Sequence, residues 1–131
     1  MKKYFFIFSF IFLLISSVKA EWIEVGKVAQ PDGKMYLDIK TFTDDGKYLF
    51  IWTLKDWEKP LVSDGKSILS GKIFEKIDCN LKRSAGVQYI FYEGPMGTGK
   101  FSNFQRDKLK WNYFPPGTIM GNVIQALCDN R

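Results

Sequence analysis

Beyond residue 20 the chain alternates apolar and polar positions and breaks at short clusters of turn residues. "EWIEVGKVAQ" sets Trp22, Glu24 and Gly26 against Ile23, Val25 and Lys27, and it ends at the turn signal Pro31-Asp32-Gly33. "KMYLDIKTFT" alternates again as far as Asp44-Asp45-Gly46-Lys47, a turn of hairpin type. In "KYLFIWTLKDW" the residues Tyr48, Phe50, Trp52 and Leu54 share one face, while Leu49, Ile51 and Thr53 make the other largely apolar too. A strand apolar on both faces is expected to be central or covered on both sides. Residues 59–66, "KPLVSDGK", read as a loop, and "SILSGKIFEKIDCN" as a longer extended stretch bent at Gly71. "SAGVQYIFYEG" is the next strand. The pattern predicts five strands, with a short sixth around Phe101 to Phe104.

The period then changes. After Pro115-Pro116-Gly117, Thr118 is placed to cap a helix over "IMGNVIQALCDN". Met120, Val123, Ile124 and Leu127 fall at i, i+3, i+4 and i+7, and Cys128 follows on the same face. The expected fold class is α+β: an antiparallel sheet of five or six strands with a C-terminal helix packed on it.

The first twenty residues, "MKKYFFIFSFIFLLISSVKA", have the order of a secretory signal: Lys2 and Lys3, an apolar core from Tyr4 to Ile15, and small residues at Val18 and Ala20. That core is too short to span a bilayer comfortably and ends near Lys19, so cleavage is expected after Ala20. No cysteine lies near the junction, so no lipid attachment is expected there. Lys2, Lys3 and Lys19 leave with the signal. Of the 19 basic residues 16 then face 14 acidic ones, and the net charge falls from +5 to +2. Much of the basic character that would suggest nucleic acid or an anionic membrane therefore belongs to the export signal. Residues 21–131 have the size of one domain, contacting membrane only through that signal. Cys79 and Cys128 are the two cysteines of an exported chain, which favours a disulfide between them that ties the helix to the sheet.

The glycine-rich "YEGPMGTGKFS" invites comparison with the phosphate loop G-x-x-x-x-G-K-[ST]. Gly94, Gly99 and Lys100 match, but Phe101 replaces the hydroxyl that would hold magnesium. The following "FSNFQRDKLKWNYFPPG" has no helical stripe to supply an N-terminus, so no nucleotide is expected. With no histidine, the Ser-His and Cys-His dyads and the common zinc sites cannot be built. Glu93 is the most suggestive acid–base candidate, yet the spread of carboxylates reads as solvated surface rather than a catalytic pair. Asp44-Asp45-Gly46 lacks calcium-loop spacing and offers only weak cation binding. No enzyme, metal or cofactor is expected. Sixteen Phe, Tyr and Trp lie beyond residue 20. Core packing explains most of them better than base stacking, which leaves Trp57, Trp111 and Tyr113 as exposed aromatic anchors for a protein or glycan partner.

The segments "YLDIKTF", "FIWTLKDWEKP", "IFEKIDCNLKR", "YEGPMGTG" and "WNYFPPGT", followed by a short helix ending in Cys128, resemble the surface-adhesin E family of exported proteobacterial domains. They occur in the family's order and cover nearly all of residues 22–128. The resemblance implies an antiparallel sheet with a C-terminal helix. It also makes Gly94, Pro95, Met96, Gly97, Thr98 and Gly99 a family loop, one that would fold tightly and display Met96 and Thr98. It further implies a non-catalytic module that binds host extracellular-matrix or serum proteins at the surface of a Gram-negative cell. The bare signal peptide supports a second reading, a soluble periplasmic accessory domain that contacts another envelope protein. A free sheet edge would let either form pair into a homodimer.

Overall fold

The computed structural model describes residues 20–131. The expected signal segment lies outside them except for Ala20. Seven antiparallel strands and one helix follow in chain order: β1 Trp22–Val28, β2 Gly33–Asp44, β3 Leu49–Ser63, β4 Lys66–Asp78, β5 Arg83–Tyr92, β6 Phe101–Gln105, β7 Asn112–Tyr113 and α1 Ile119–Asp129. The first six form a meander in the order β1-β2-β3-β4-β5-β6, so β1 and β6 are its edges; β7 pairs with the far end of β5.

Two elements depart from the sequence pattern. Residues 59–66 are not a loop but the outer arm of the β3–β4 hairpin. The ladder pairs Asp56 with Ser70, shifts register, and resumes with Leu61 opposite Ile68. Pro60 lies within that irregular stretch, where its missing N–H breaks no regular pair. The reversal itself is narrower than expected. Asp64 and Gly65 both have positive φ (48° and 73°), the two-residue geometry favoured by twisted hairpins. The second departure is β7, which has only two residues and so cannot show a period.

The register explains how one sheet carries two different faces. Leu37, Thr53, Ile73, Tyr89 and Phe104 lie side by side across β2 to β6 and project to one side; Asp38, Trp52, Phe74 and Gln88 project to the other. Helix α1 covers part of the first side. Met120, Val123 and Ile124 are buried against Met35, Leu37, Leu49, Ile51 and Ile77, with Leu127 and Cys128 packed at the margin. Thr118 caps the helix as expected: its Oγ1 accepts the Gly121 N–H at 3.1 Å. Cys79, just after β4, is bonded to Cys128 in the last turn, with 5.7 Å between Cα atoms.

β3 is therefore central, as its two apolar faces imply, but the layers on its two sides differ. The helix seals Leu49 and Ile51 completely. On the opposite side Phe50 and Trp52 stay half-buried.

Candidate functional site

The loop after β5 folds back onto the sheet. Pro95–Gly97 form a single 3₁₀ turn, with Met96 held at φ 51°, ψ 38°, a left-handed conformation uncommon for a side chain of its size. What holds it there is polar. The Met96 N–H donates to Asp56 Oδ1 at 2.8 Å and the Gly97 N–H to Ser70 Oγ at 2.9 Å. Ser70 Oγ in turn donates to the Gly94 carbonyl at 2.7 Å. Within the loop, Gly94 N–H donates to Thr98 O, Thr98 N–H to Pro95 O, and Thr98 Oγ1 also to Pro95 O. Gly97 lies so close to β4 that a Cβ there would fall 2.6 Å from Lys72 Cε, and its φ is 70°. Glycine meets both demands.

This geometry answers the phosphate-loop question. An anion cradle needs backbone amides that point outward at a helix N-terminus. Here the amides of Gly94, Met96, Gly97 and Thr98 all have partners inside the protein. The segment that follows is strand β6. Met96 remains at the surface, 36% exposed, and Thr98 is exposed.

Ser70 is fully buried and bridges both ends of the loop. Ser70→Ala would leave the Gly97 N–H and the Gly94 carbonyl without it, a loss of about 1–3 kcal/mol. We expect faster amide hydrogen exchange at Gly97 in that variant and an unchanged disulfide end. Exchange as slow as in the parent would show that the loop is held by something else.

Beyond the helix the same side of the sheet is open. A groove of about 480 Å³ lies between the outer β3–β4 arm and β6, lined by Trp57, Leu61, Ile68, Phe91 and Phe104, with Lys66 at its rim. Trp57 is half-buried in its wall, its ring close to Gly71 and Phe91. Next to it a smaller depression of about 290 Å³ is lined by Glu93 together with Lys66 and Lys100. No second carboxylate lines that depression, so the acid–base pair that Glu93 would need is missing there. Phe101 and Phe104, 64% and 51% exposed, sit on edge strand β6, whose outer backbone is unpaired. These two aromatics are not among the anchors named from sequence. Their signal was an aromatic pair in a strand immediately after the glycine loop.

The Asp44-Asp45 pair, the other acidic candidate, has structural partners. Asp44 Oδ1 accepts the Gly46 N–H and pairs with Arg131 at 2.9 Å; Asp45 Oδ1 accepts the amides of Lys47 and Tyr48. Those backbone hydrogen bonds, chiefly, hold both carboxyls below the usual aspartate range. Burial opposes the charged form of Asp78, but the Leu81 amide and Arg83 outweigh it and lower its pKa. Burial pushes Glu75 up, against the pull of Lys55 and Ser84, and Glu75 lines neither depression. Among the described residues no cluster of three or more His, Cys, Asp or Glu is placed to hold a metal, and no helix is long and apolar enough to cross a membrane.

The family model for surface-adhesin protein E matches residues 22–129. The chain belongs to that family. Its fold is similar to that of Haemophilus influenzae protein E. In one crystal form of that protein the TM-score is 0.66 at 18% identity, over 87% of this chain and 91% of the other. The protein E structure from non-typeable Haemophilus influenzae gives the same TM-score and identity over 88% and 80%. At that identity the likeness establishes the fold. No curated protein matches this sequence.

Within this family fold the glycine-rich loop sits at the β5–β6 end of the sheet, and Trp111 and Tyr113 lie near the opposite end. Arg83, paired with Asp78 at 3.0 Å, places its guanidinium 4.3 Å from the Trp111 ring and 6.0 Å from that of Tyr113. Trp111 is half-buried beneath it, while Tyr113 is 64% exposed. Trp57, Trp111 and Tyr113 therefore do not form one surface.

Proposed function

We propose that this chain is an exported, non-catalytic, adhesin-like module. Its signal is cleaved after Ala20, and residues 21–131 act as one domain that binds a host extracellular-matrix or serum protein. Family membership supports an adhesin-like surface protein. The observation that supports a protein partner is the pairing of an apolar groove with a neighbouring unpaired strand that exposes Phe101 and Phe104. An extended segment of the partner would add to β6 and seat alternate side chains in the groove. The glycine-rich loop, with Met96 at its surface, borders that edge.

Purified residues 21–131 should bind immobilised laminin, vitronectin or plasminogen saturably. Phe101→Ala/Phe104→Ala should weaken that binding by a factor of about 30, as loss of interface aromatics does. Absence of saturable binding to any of them would remove the host-protein reading. Protease treatment of intact and permeabilised cells separates the two locations: digestion on intact cells places the domain outside. Digestion only after permeabilisation favours the periplasmic accessory role. A monomer–dimer shift abolished by the same double variant would instead assign the β6 edge to a second copy.

A further inference from the structure

The chain enters β1 against a buried carboxylate. The Glu21 backbone nitrogen donates to Asp38 Oδ1 at 3.3 Å, and the Lys40 amide donates to the same oxygen at 3.1 Å. Asp38 lies on β2, opposite Trp22 of β1 and Trp52 of β3, and is 2% exposed. Just beyond it the β2–β3 ladder shifts register and resumes only with Thr43 opposite Phe50. Thr41 Oγ1 closes that break by donating to the Asp38 carbonyl at 3.1 Å. The carboxyl group therefore stands where the sheet opens, not on a solvated turn. It lines a hollow of about 220 Å³ together with Ala20, Trp22, Trp52, Lys72 and Tyr92.

A buried carboxylate is costly unless it is paired and hydrogen-bonded. Among the described residues Asp38 forms no ion pair. The two cations nearest to it are engaged elsewhere. Lys40 Nζ, from its own strand, lies 3.6 Å from the Glu21 carboxylate. Lys72 reaches from β4 into the same hollow but holds its ammonium 5.5 Å from the Trp22 ring and 5.1 Å from that of Tyr92. The other walls of the hollow, Trp52 of β3 and Ile90 and Tyr92 of β5, carry no charge at neutral pH. What Asp38 has is two backbone amides, both on Oδ1.

We propose that removal of the leader supplies the missing counter-ion. This rests on the reading that the leader is cut after Ala20, and it adds what the cut does to the fold. Hydrolysis of the Ala20–Glu21 peptide bond consumes one water: Ala20 departs with a carboxylate, and the Glu21 nitrogen changes from an amide to an ammonium. That nitrogen already lies 3.3 Å from Asp38 Oδ1. Freed from Ala20, it carries three N–H donors and a full charge and can close to the roughly 2.8 Å of a charge-assisted bond. Ala20 is exposed, so losing it uncovers no core. The new pair clasps the residue that leads into edge strand β1 to its neighbour β2. Until the cut a neutral amide alone makes that contact, and such a bond is about half as strong. The processed domain is therefore harder to open than the chain still joined to its leader.

Two forms of the domain test this, one beginning at Glu21 and one carrying Gly-Ser-Ala before Glu21. Urea unfolding at pH 7 should give the first an unfolding constant about tenfold smaller, the gap between a charge-assisted and a neutral bond. Asp38→Asn in both forms should bring that ratio close to one. Should the variant fail to fold, a pH series on the two parent forms decides. Asp38 holds the α-amino pKa of the folded Glu21 form above its unfolded value of about 7.7–8.0. The added stability is then complete below the unfolded value and lost as pH rises through the folded one, so the ratio should approach one by pH 10. Lys40, Lys72, Tyr92 and the Glu21 side chain face the same hollow or its rim in both forms, and their own titration cancels in the ratio. Equal unfolding constants at pH 7 overturn the proposal. So does a ratio that survives at pH 10 or in Asp38→Asn. The intact mass of the protein exported by cells reads the cut itself. A first residue other than Glu21 overturns the cleavage reading and this inference with it; a Glu21 start with equal stabilities overturns this inference alone.

Discussion

Replacing Cys79 by Ser should lower stability by about 4 kcal/mol, and reduction of the parent protein should lower it equally. The bond closes a loop with a sequence separation of 49, and cross-linking a loop of that length constrains the unfolded chain by about that amount. Little else anchors the end of α1 to the sheet. Lys82 Nζ donates to Gln125 at 3.1 Å on the surface, and Arg131 reaches Asp44 at 2.9 Å where water competes. Urea titrations with and without reductant measure the loss directly. A midpoint unchanged by reduction would mean that the helix is held by its apolar face alone. The prediction concerns binding as well as stability, because α1 divides its side of the sheet into a sealed core and an open groove.

The sequence made the ends of this arrangement readable. Thr118, the stripe from Met120 to Leu127 and a lone cysteine pair in an exported chain together define a capped helix tied to a strand. Local chemistry suffices there. It fails where a decision rests on residues far apart. The loop at Gly94–Gly99 is held by Asp56 and Ser70, 40 and 27 residues before the amides they bind. No spacing rule connects those positions. The 59–66 segment carries the Pro, Asp and Gly of a loop, yet the β3–β4 ladder passes through it by shifting register. The groove is likewise assembled from β3, β4, β5 and β6, and becomes visible only once the register has set Trp57, Phe91 and Phe104 on one side. Trp57 was legible as a candidate; its neighbours were not, because aromatic content alone does not separate a covered face from an open one.

β3 gives that ambiguity a direct test. Ile51→Ala should lower stability by about 2–5 kcal/mol, whereas Trp52→Ala, one residue on, should lower it less despite removing a larger side chain. Ile51 is fully buried between the sheet and α1, where surrounding atoms cannot collapse into the space, so transfer and cavity contributions add. Trp52 projects to the uncovered side, where water fills the vacancy. Its main loss is contact with Phe74, an aromatic pair of about 0.5–1.5 kcal/mol. Urea midpoints of the two variants, with slopes checked for constancy, decide the order. A Trp52→Ala loss equal to or above that of Ile51→Ala would mean that a further layer covers the aromatic side. That side would then not be free to receive a partner. The expected order requires the opposite: one face of β3 is sealed by the helix, and the other leaves Phe50 and Trp52 half-buried.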